Sequence, residues 1–124
     1  MNAPPSHGFQ LHPQLLADSH PVCELPLSAV RLVDDVRWPW LLLVPRRAFA
    51  YELVDLAHRD QLALLVEISK VSRVLQRQYR TDKLNIAMLG NQVPQLHVHL
   101  ICRRKDDAAW PRPVWGVGKP EPYL

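Results

Sequence analysis

From Gln95 to Ile101 polar and apolar residues alternate with period 2, Gln-Leu-His-Val-His-Leu-Ile, which predicts a strand. Successive strand side chains point to opposite faces, so Gln95, His97 and His99 share one face and Leu96, Val98 and Leu100 the other. Ser28 to Val33 reads as a strand closed by the Asp34-Asp35 turn. Trp40 to Val44 is an apolar run of strand length, expected near the sheet centre and ended by Pro45-Arg46-Arg47. The short polar turn between these two predicts an antiparallel pair. Between about Asp60 and Arg80 the period becomes helical. There Leu64, Ile68, Val71, Leu75 and Tyr79 form a core face, with Glu67, Lys70, Arg73 and Arg77 off it. Leu84 to Leu89 is a further strand, leading into the Gly90-Asn91 turn. A short helix fits His12 to Asp18, with Pro13 in its first turn. The order strand, strand, helix, strand, strand predicts an α+β fold, an antiparallel sheet with a long helix packed on one face.

Composition narrows the picture. With 124 residues the chain is read as a single domain, 1–124, able to bury a core without staples. Residues 1–8 are polar and Pro-containing. From about residue 104 a tail carries Trp110-Pro111-Arg112-Pro113-Val114-Trp115-Gly116, and its large rings predict an ordered tail packed on its own domain or on a partner. No apolar run has the length of a membrane span, and the N-terminus lacks a signal-peptide pattern. Two cysteines, Cys23 and Cys102, make no disulfide framework, so a reduced, cytoplasmic setting is expected. The net charge of +3 comes from scattered Lys and Arg, with no stripe or stacking array, so no nucleic-acid partner is expected.

Three chemistries fit two imidazoles on one strand face. They can chelate a metal, act as nucleophile and partner in catalysis, or form part of a hydrogen-bonded polar face. Zinc needs three or four protein ligands. His7, His12, His20, His58 and Cys23 stand at no metal-ligand spacing, and alternation puts Cys102 on the opposite face. The four histidines outside the pair read more simply as surface or capping residues. Nucleophilic attack on phosphorus needs a neutral imidazole whose other nitrogen is held as a donor. The Gly90-Asn91 turn can offer backbone N–H groups to phosphate oxygens. Trp38 and Trp40 read as packing residues, and Arg46 and Arg47 as a solvated strand end.

The run Gly90-Asn91-Gln92-Val93-Pro94-Gln95-Leu96-His97-Val98-His99-Leu100-Ile101 resembles the signature of the histidine-triad (HIT) superfamily, Gly-Gln-x-Val-x-His-φ-His-φ-His-φ-φ with φ apolar. By strand order the resemblance extends from about Ser28 to Arg103. It implies a HIT-like α+β domain that pairs as a homodimer through the helix and an edge strand. It also implies a purine-nucleotide conjugate as substrate, a dinucleoside polyphosphate or nucleoside phosphoramidate, cleaved at the α-phosphate with no cofactor required. By position, His97 matches the nucleophile that becomes nucleotidylated, and His99 the third His, beside the scissile phosphate and the leaving group. Asn91, after Gly90, matches the motif Gln by the phosphate, and Asn85 resembles a strand residue that contacts ribose or phosphate. Gln95 replaces the first His, a supporting member of the network; it keeps a donor and an acceptor but does not titrate. The tail occupies the place where relatives shape the leaving-group pocket. The resemblance thus implies a nucleotide hydrolase or nucleotidyl transferase; the alternative is a nucleotide-binding or sensor module with little turnover because its triad is incomplete.

Overall fold

Five strands alternate their side chains between two covered faces, and each face has its own core. The structure, a computed structural model, describes residues 8–124; His7 and most of the polar N-terminal stretch lie outside them. Helix α1 (Pro13–Asp18) is followed by β1 (Ser19–Glu24), β2 (Ser28–Val33) and β3 (Trp40–Pro45). After a single 3-10 turn at Leu53–Asp55 come α2 (His58–Gln78), β4 (Lys83–Ala87) and β5 (Val98–Arg103). The sheet order is β1-β2-β3-β5-β4, antiparallel throughout.

Val30, Leu43, Val98, Leu100 and Cys102 point to one side, where they pack with Leu64, Val71 and Leu75 of α2. The opposite side carries Trp40, Leu42, Val44 and Ile101. It is covered by Leu15 of α1 and by Ala109 and Val114 of the C-terminal segment. Leu43, Val98, Leu100 and Ile101 are fully buried, each stabilising the fold by roughly 1.5–3 kcal/mol relative to an exposed side chain. The helix-covered face is therefore a closed core. The other face, roofed by short segments from both ends of the described chain, leaves a cavity between sheet and roof.

The predicted α+β layering, antiparallel sheet and long helix are all present, with four corrections. First, a fifth strand, β1, was not foreseen. It is an edge strand, almost wholly exposed, with a register shift between Pro21 and Cys23, so it shows neither alternation nor a Pro-free run. Second, the histidine strand starts at Val98 and not at Gln95, because the chain before it is a loop tied to Ala50 through the Leu96 amide. Third, Glu67, off the core face by helical period, is 4% exposed. Its carboxylate accepts from the Leu27 amide at 2.8 Å, giving a buried turn N–H its partner. Fourth, Tyr79 caps the helix and is half-exposed, outside the core face.

The C-terminal segment is fixed by Arg103, the last residue of β5, which is 1% exposed. Its guanidinium makes a two-point ion pair with Asp107 at 2.8 and 3.1 Å and donates to Asn85 Oδ1 at 2.9 Å and to the Arg112 carbonyl at 2.7 Å. It also lies over the Trp110 ring. Burial alone would raise the Asp107 carboxyl pKa. The Arg103 guanidinium and the amides of Ala109, Arg104 and Trp110 outweigh it and hold the group well below the usual carboxylate range.

Candidate active site

His97 precedes β5 by one residue and His99 is its second residue; both are buried, their ring centroids 4.9 Å apart. The two imidazoles are held in complementary states. His97 Nδ1 lies 2.6 Å from the main-chain carbonyl of Gln95. A carbonyl only accepts, so Nδ1 carries the proton and Nε2 keeps its lone pair. His99 Nδ1 lies 3.0 Å from the indole N–H of Trp40. An indole only donates, so this Nδ1 is bare and the neutral ring carries its proton on Nε2. One ring thus presents a bare Nε2 and its neighbour an Nε2–H donor. Burial, and secondarily the charge of His97, push the His99 imidazole down from 6.5 to about 4. The Trp40 contact acts in the same direction, because it is satisfied only by the unprotonated Nδ1.

The register explains the Trp40 contact. β3 pairs with β5 so that Leu42 faces His99 and Trp40 faces Ile101. Trp40 and His99 are thus diagonal neighbours on one face, within reach of a large side chain. Trp115 from the C-terminal segment closes the cluster, edge-on to His99 at 5.1 Å and to Trp40 at 5.9 Å.

These rings stand in a cavity of about 830 Å³, in the size range of sites for small organic ligands. Gly90, Asn91, Gln92 and Val93 form one stretch of its wall, and Leu15, Ala17 and Asp18 of α1 another. Gly90 has φ +72°, a left-handed conformation that glycine adopts without strain. Asp34 and Asp35 follow β2 on the wall, and Gly116, Pro120 and Pro122 run past them. Asp35, bound to Arg37, and Asp34 tether that tail, accepting from the amides of Glu121 and Tyr123. Asp34 also meets His20 at 3.0 Å.

Of the residues singled out in the sequence, His97, His99, Gly90 and Asn91 come together in this cavity. Asn85 lies on the same sheet face, opposite Ile101, but its Oδ1 is engaged by Arg103 and it is not among the lining residues. The Gln95 side chain turns away. Its Oε1 accepts from the His12 amide at 2.9 Å and its Nε2 donates to the Gln10 carbonyl at 2.8 Å. It borders a separate, smaller cavity of about 310 Å³ with Phe9, Phe49 and Tyr51. His12 caps α1, its Nδ1 accepting from the Gln14 amide. Arg46 binds Glu24 and Arg47 binds Asp60, so both hold the end of β3 in place. Among the described residues no group of three His, Cys, Asp or Glu is arranged to hold a metal ion. No described helix is long and apolar enough to cross a membrane.

Gln95 therefore fastens the segment leading into α1 by two backbone bonds, its amide oxygen accepting and its amide nitrogen donating. Gln95→His is expected to leave turnover unchanged or lower, and Gln95→Met to speed hydrogen exchange of the His12 amide by about tenfold. A Gln95→His variant faster than wild type would show instead that Gln95 is a crippled catalytic position.

The family model described as HIT domain matches residues 14–106. A histidine triad protein from Bradyrhizobium japonicum is 54% identical, with a TM-score of 0.92 over 94% of this chain and 87% of that one. A histidine triad protein from Sinorhizobium meliloti is 46% identical, with a TM-score of 0.93 over 95% and 87% of the two chains. The bis(5'-adenosyl)-triphosphatase of Saccharomyces cerevisiae is 31% identical over 70 residues, 52% of this chain and 34% of that protein. The asymmetrical bis(5'-nucleosyl)-tetraphosphatase of Schizosaccharomyces pombe is 32% identical over 72 residues, 54% of this chain and 39% of that protein. The match thus spans little more than a third of the length of these two enzymes.

Proposed function

Because the chain belongs to the HIT family, we propose that it is a nucleotide hydrolase or nucleotidyl transferase cleaving purine-nucleotide conjugates at the α-phosphate through a nucleotidyl-His97 intermediate. The observation that carries this reading is the pair of opposite tautomers: Nε2 of His97 free to attack, Nε2–H of His99 free to donate. In the first step His97 Nε2 bonds to the α-phosphorus and the bond to the leaving group breaks. His99 stabilises the charge on the phosphate or the departing atom by hydrogen bonding. Water then attacks the same phosphorus, the electron pair of the P–N bond returns to His97 Nε2, and the proton that the water loses passes to solvent. Gln95 contributes through its carbonyl, which steadies the charge that builds on the His97 ring. Gly90 and Asn91, on the cavity wall, are assigned to hold the phosphate. The carboxylates of Asp18, Asp34 and Asp35 would repel phosphate, so the nucleoside is oriented toward them and the phosphate toward the histidines. The step needs no metal ion, and turnover in a chelator tests that.

Two displacements at one phosphorus give net retention of configuration, and direct attack by water gives inversion. Hydrolysis of a substrate chiral at the α-phosphorus in heavy-oxygen water is expected to give retention, with the label in the nucleoside monophosphate. Inversion would rule out the intermediate. A nucleotide-binding module without turnover would bind adenosine monophosphate and give no product.

We further propose a homodimer. β4 is an open sheet edge, and its Ile86, opposite Leu100 on the helix-covered face, is still 46% exposed. Leu62, Leu65 and Val66 are exposed on the side of α2 away from the core. Light scattering is expected to give twice the chain mass for wild type and the monomer mass for Leu65→Glu. A monomeric wild type at micromolar concentration would contradict the assignment.

A further inference from the structure

Phosphoanhydrides and phosphoramidates make different proton demands on a site that attacks the α-phosphorus. A P–O–P bond releases a phosphate, which departs as a stable anion. A P–N bond to a basic amine releases nitrogen, which leaves only after it has received a proton. Everything then depends on whether a group in the cavity can deliver one.

His99 is the residue placed to do so, and its surroundings forbid it. Its Nδ1 is occupied by the donor-only indole N–H of Trp40 at 3.0 Å, so a doubly protonated ring would set two N–H groups against each other. A neutral ring can share its Nε2 proton in a hydrogen bond, but giving it up would leave an imidazolate. The ring is packed between His97 and Trp115, with centroids 4.9 and 5.1 Å away, which holds it in this orientation. The other titratable groups on the cavity wall do not supply the proton. His97 Nδ1–H is held by the Gln95 carbonyl. Asp34 is kept below the ordinary carboxylate value by the His20 hydrogen bond first and the Tyr123 amide second. Burial would raise Asp35, but Arg37 and the amides around it keep it low. Asp18 accepts from Gln14 Nε2. Both Asp34 and Asp35 are therefore ionised acceptors at neutral pH.

We propose that Trp40 is a specificity-determining residue: by holding His99 as a hydrogen-bond donor and not a proton donor, it restricts the site to nucleotide conjugates whose leaving group departs as an anion, the phosphoanhydrides, against phosphoramidates of basic amines. This rests on the α-phosphate reading above. In the favoured reaction the His97 Nε2 lone pair forms the N–P bond as the P–O bond breaks. The electron pair stays on the departing phosphate oxygen, which accepts a hydrogen bond from His99 Nε2–H, and no proton changes owner. With an amine leaving group the same step would strand a negative nitrogen. Trp40 touches His99 and acts through it, so it is a positioning residue.

The test compares diadenosine triphosphate with an adenosine phosphoramidate of an alkylamine, on wild type and Trp40→Phe, at about pH 7 and about pH 5.5. Wild type is expected to favour the anhydride in kcat/KM by about 10^3-fold, the size of a missing general acid. In Trp40→Phe the anhydride rate falls and the preference shrinks at least about tenfold, most at the lower pH, because Nδ1 is free to take a proton. Nitrogen NMR of His99 in wild type gives an answer that needs neither turnover nor a folded variant: a bare Nδ1 and a protonated Nε2 that persist at about pH 5.5. A wild type that cleaves the two substrates within about tenfold of each other, an unchanged preference in a folded Trp40→Phe, or a His99 ring that titrates near its ordinary value would each overturn the proposal. If neither substrate is cleaved while the NMR signature stands, the α-phosphate reading fails and the substrate preference falls with it. The tautomer assignment survives that outcome on its own.

Discussion

Replacing His97 with Ala is expected to lower kcat on a dinucleoside polyphosphate by on the order of 10^4-fold, with the affinity for adenosine monophosphate changed by less than about threefold. In the proposed mechanism the bond from Nε2 to phosphorus exists only from the transition state onward, so its loss falls on kcat and not on ground-state binding. The small residue leaves a gap of imidazole size beside the Gln95 carbonyl, which previously held the ring. Added imidazole is therefore expected to restore part of the rate. Steady-state kinetics with and without imidazole check this. Residual activity above about one per cent without imidazole would place the nucleophile elsewhere.

The second large effect concerns His99. His99→Ala removes the Nε2–H that the proposed mechanism directs at the developing charge, a change that costs about 10^2- to 10^3-fold in kcat at comparable sites. Its stability signature is separate. In the fold the ring titrates at about 4, against 6.5 for a free imidazole. Between these values the unfolded chain binds the extra proton and the folded one does not, so folding stability rises with pH across the window. Read downward, stability is complete above the unfolded value, falls as the pH drops from 6.5 toward 4, and levels off below that. The span amounts to roughly 3 kcal/mol, and His99→Ala is expected to flatten this part of the curve. Urea midpoints taken through the window measure it. An unchanged slope in the variant would mean that another group titrates there.

The sequence carried the elements that depend on neighbouring residues. The helical period of Leu64, Val71 and Leu75 and the apolar run of β3 are local patterns, and both elements formed. Alternation put His97 and His99 on one face and Cys102 on the other, where they are found. It failed at Gln95 because the face rule fades outside a strand: His97 directly adjoins β5 and keeps its face, whereas Gln95 lies three residues before the strand begins. The partner that sets the state of His99 was not legible. Trp40 is 59 positions away and arrives through the β3–β5 register, which no local pattern encodes. Asp34 and Asp35 are a turn signal in the sequence and end β2 in the structure, while their place on the cavity wall depends on the tail folding back over them. Trp115 stood out as a large ring among prolines; its contact with His99 again needed the three-dimensional path of that tail. Glu67 looked like a solvent-facing charge because the amide it satisfies is 40 residues away.

The most direct test of the central claim is the mass of the protein itself during a single turnover. Mixing excess enzyme with diadenosine triphosphate, quenching in denaturant under conditions that preserve phosphoramidate bonds, and sequencing the modified peptide should show one adenylyl group, on His97. The same adduct should be absent from His97→Ala. Rapid conversion of substrate without any adduct on His97, or an adduct on another side chain, would contradict the mechanism.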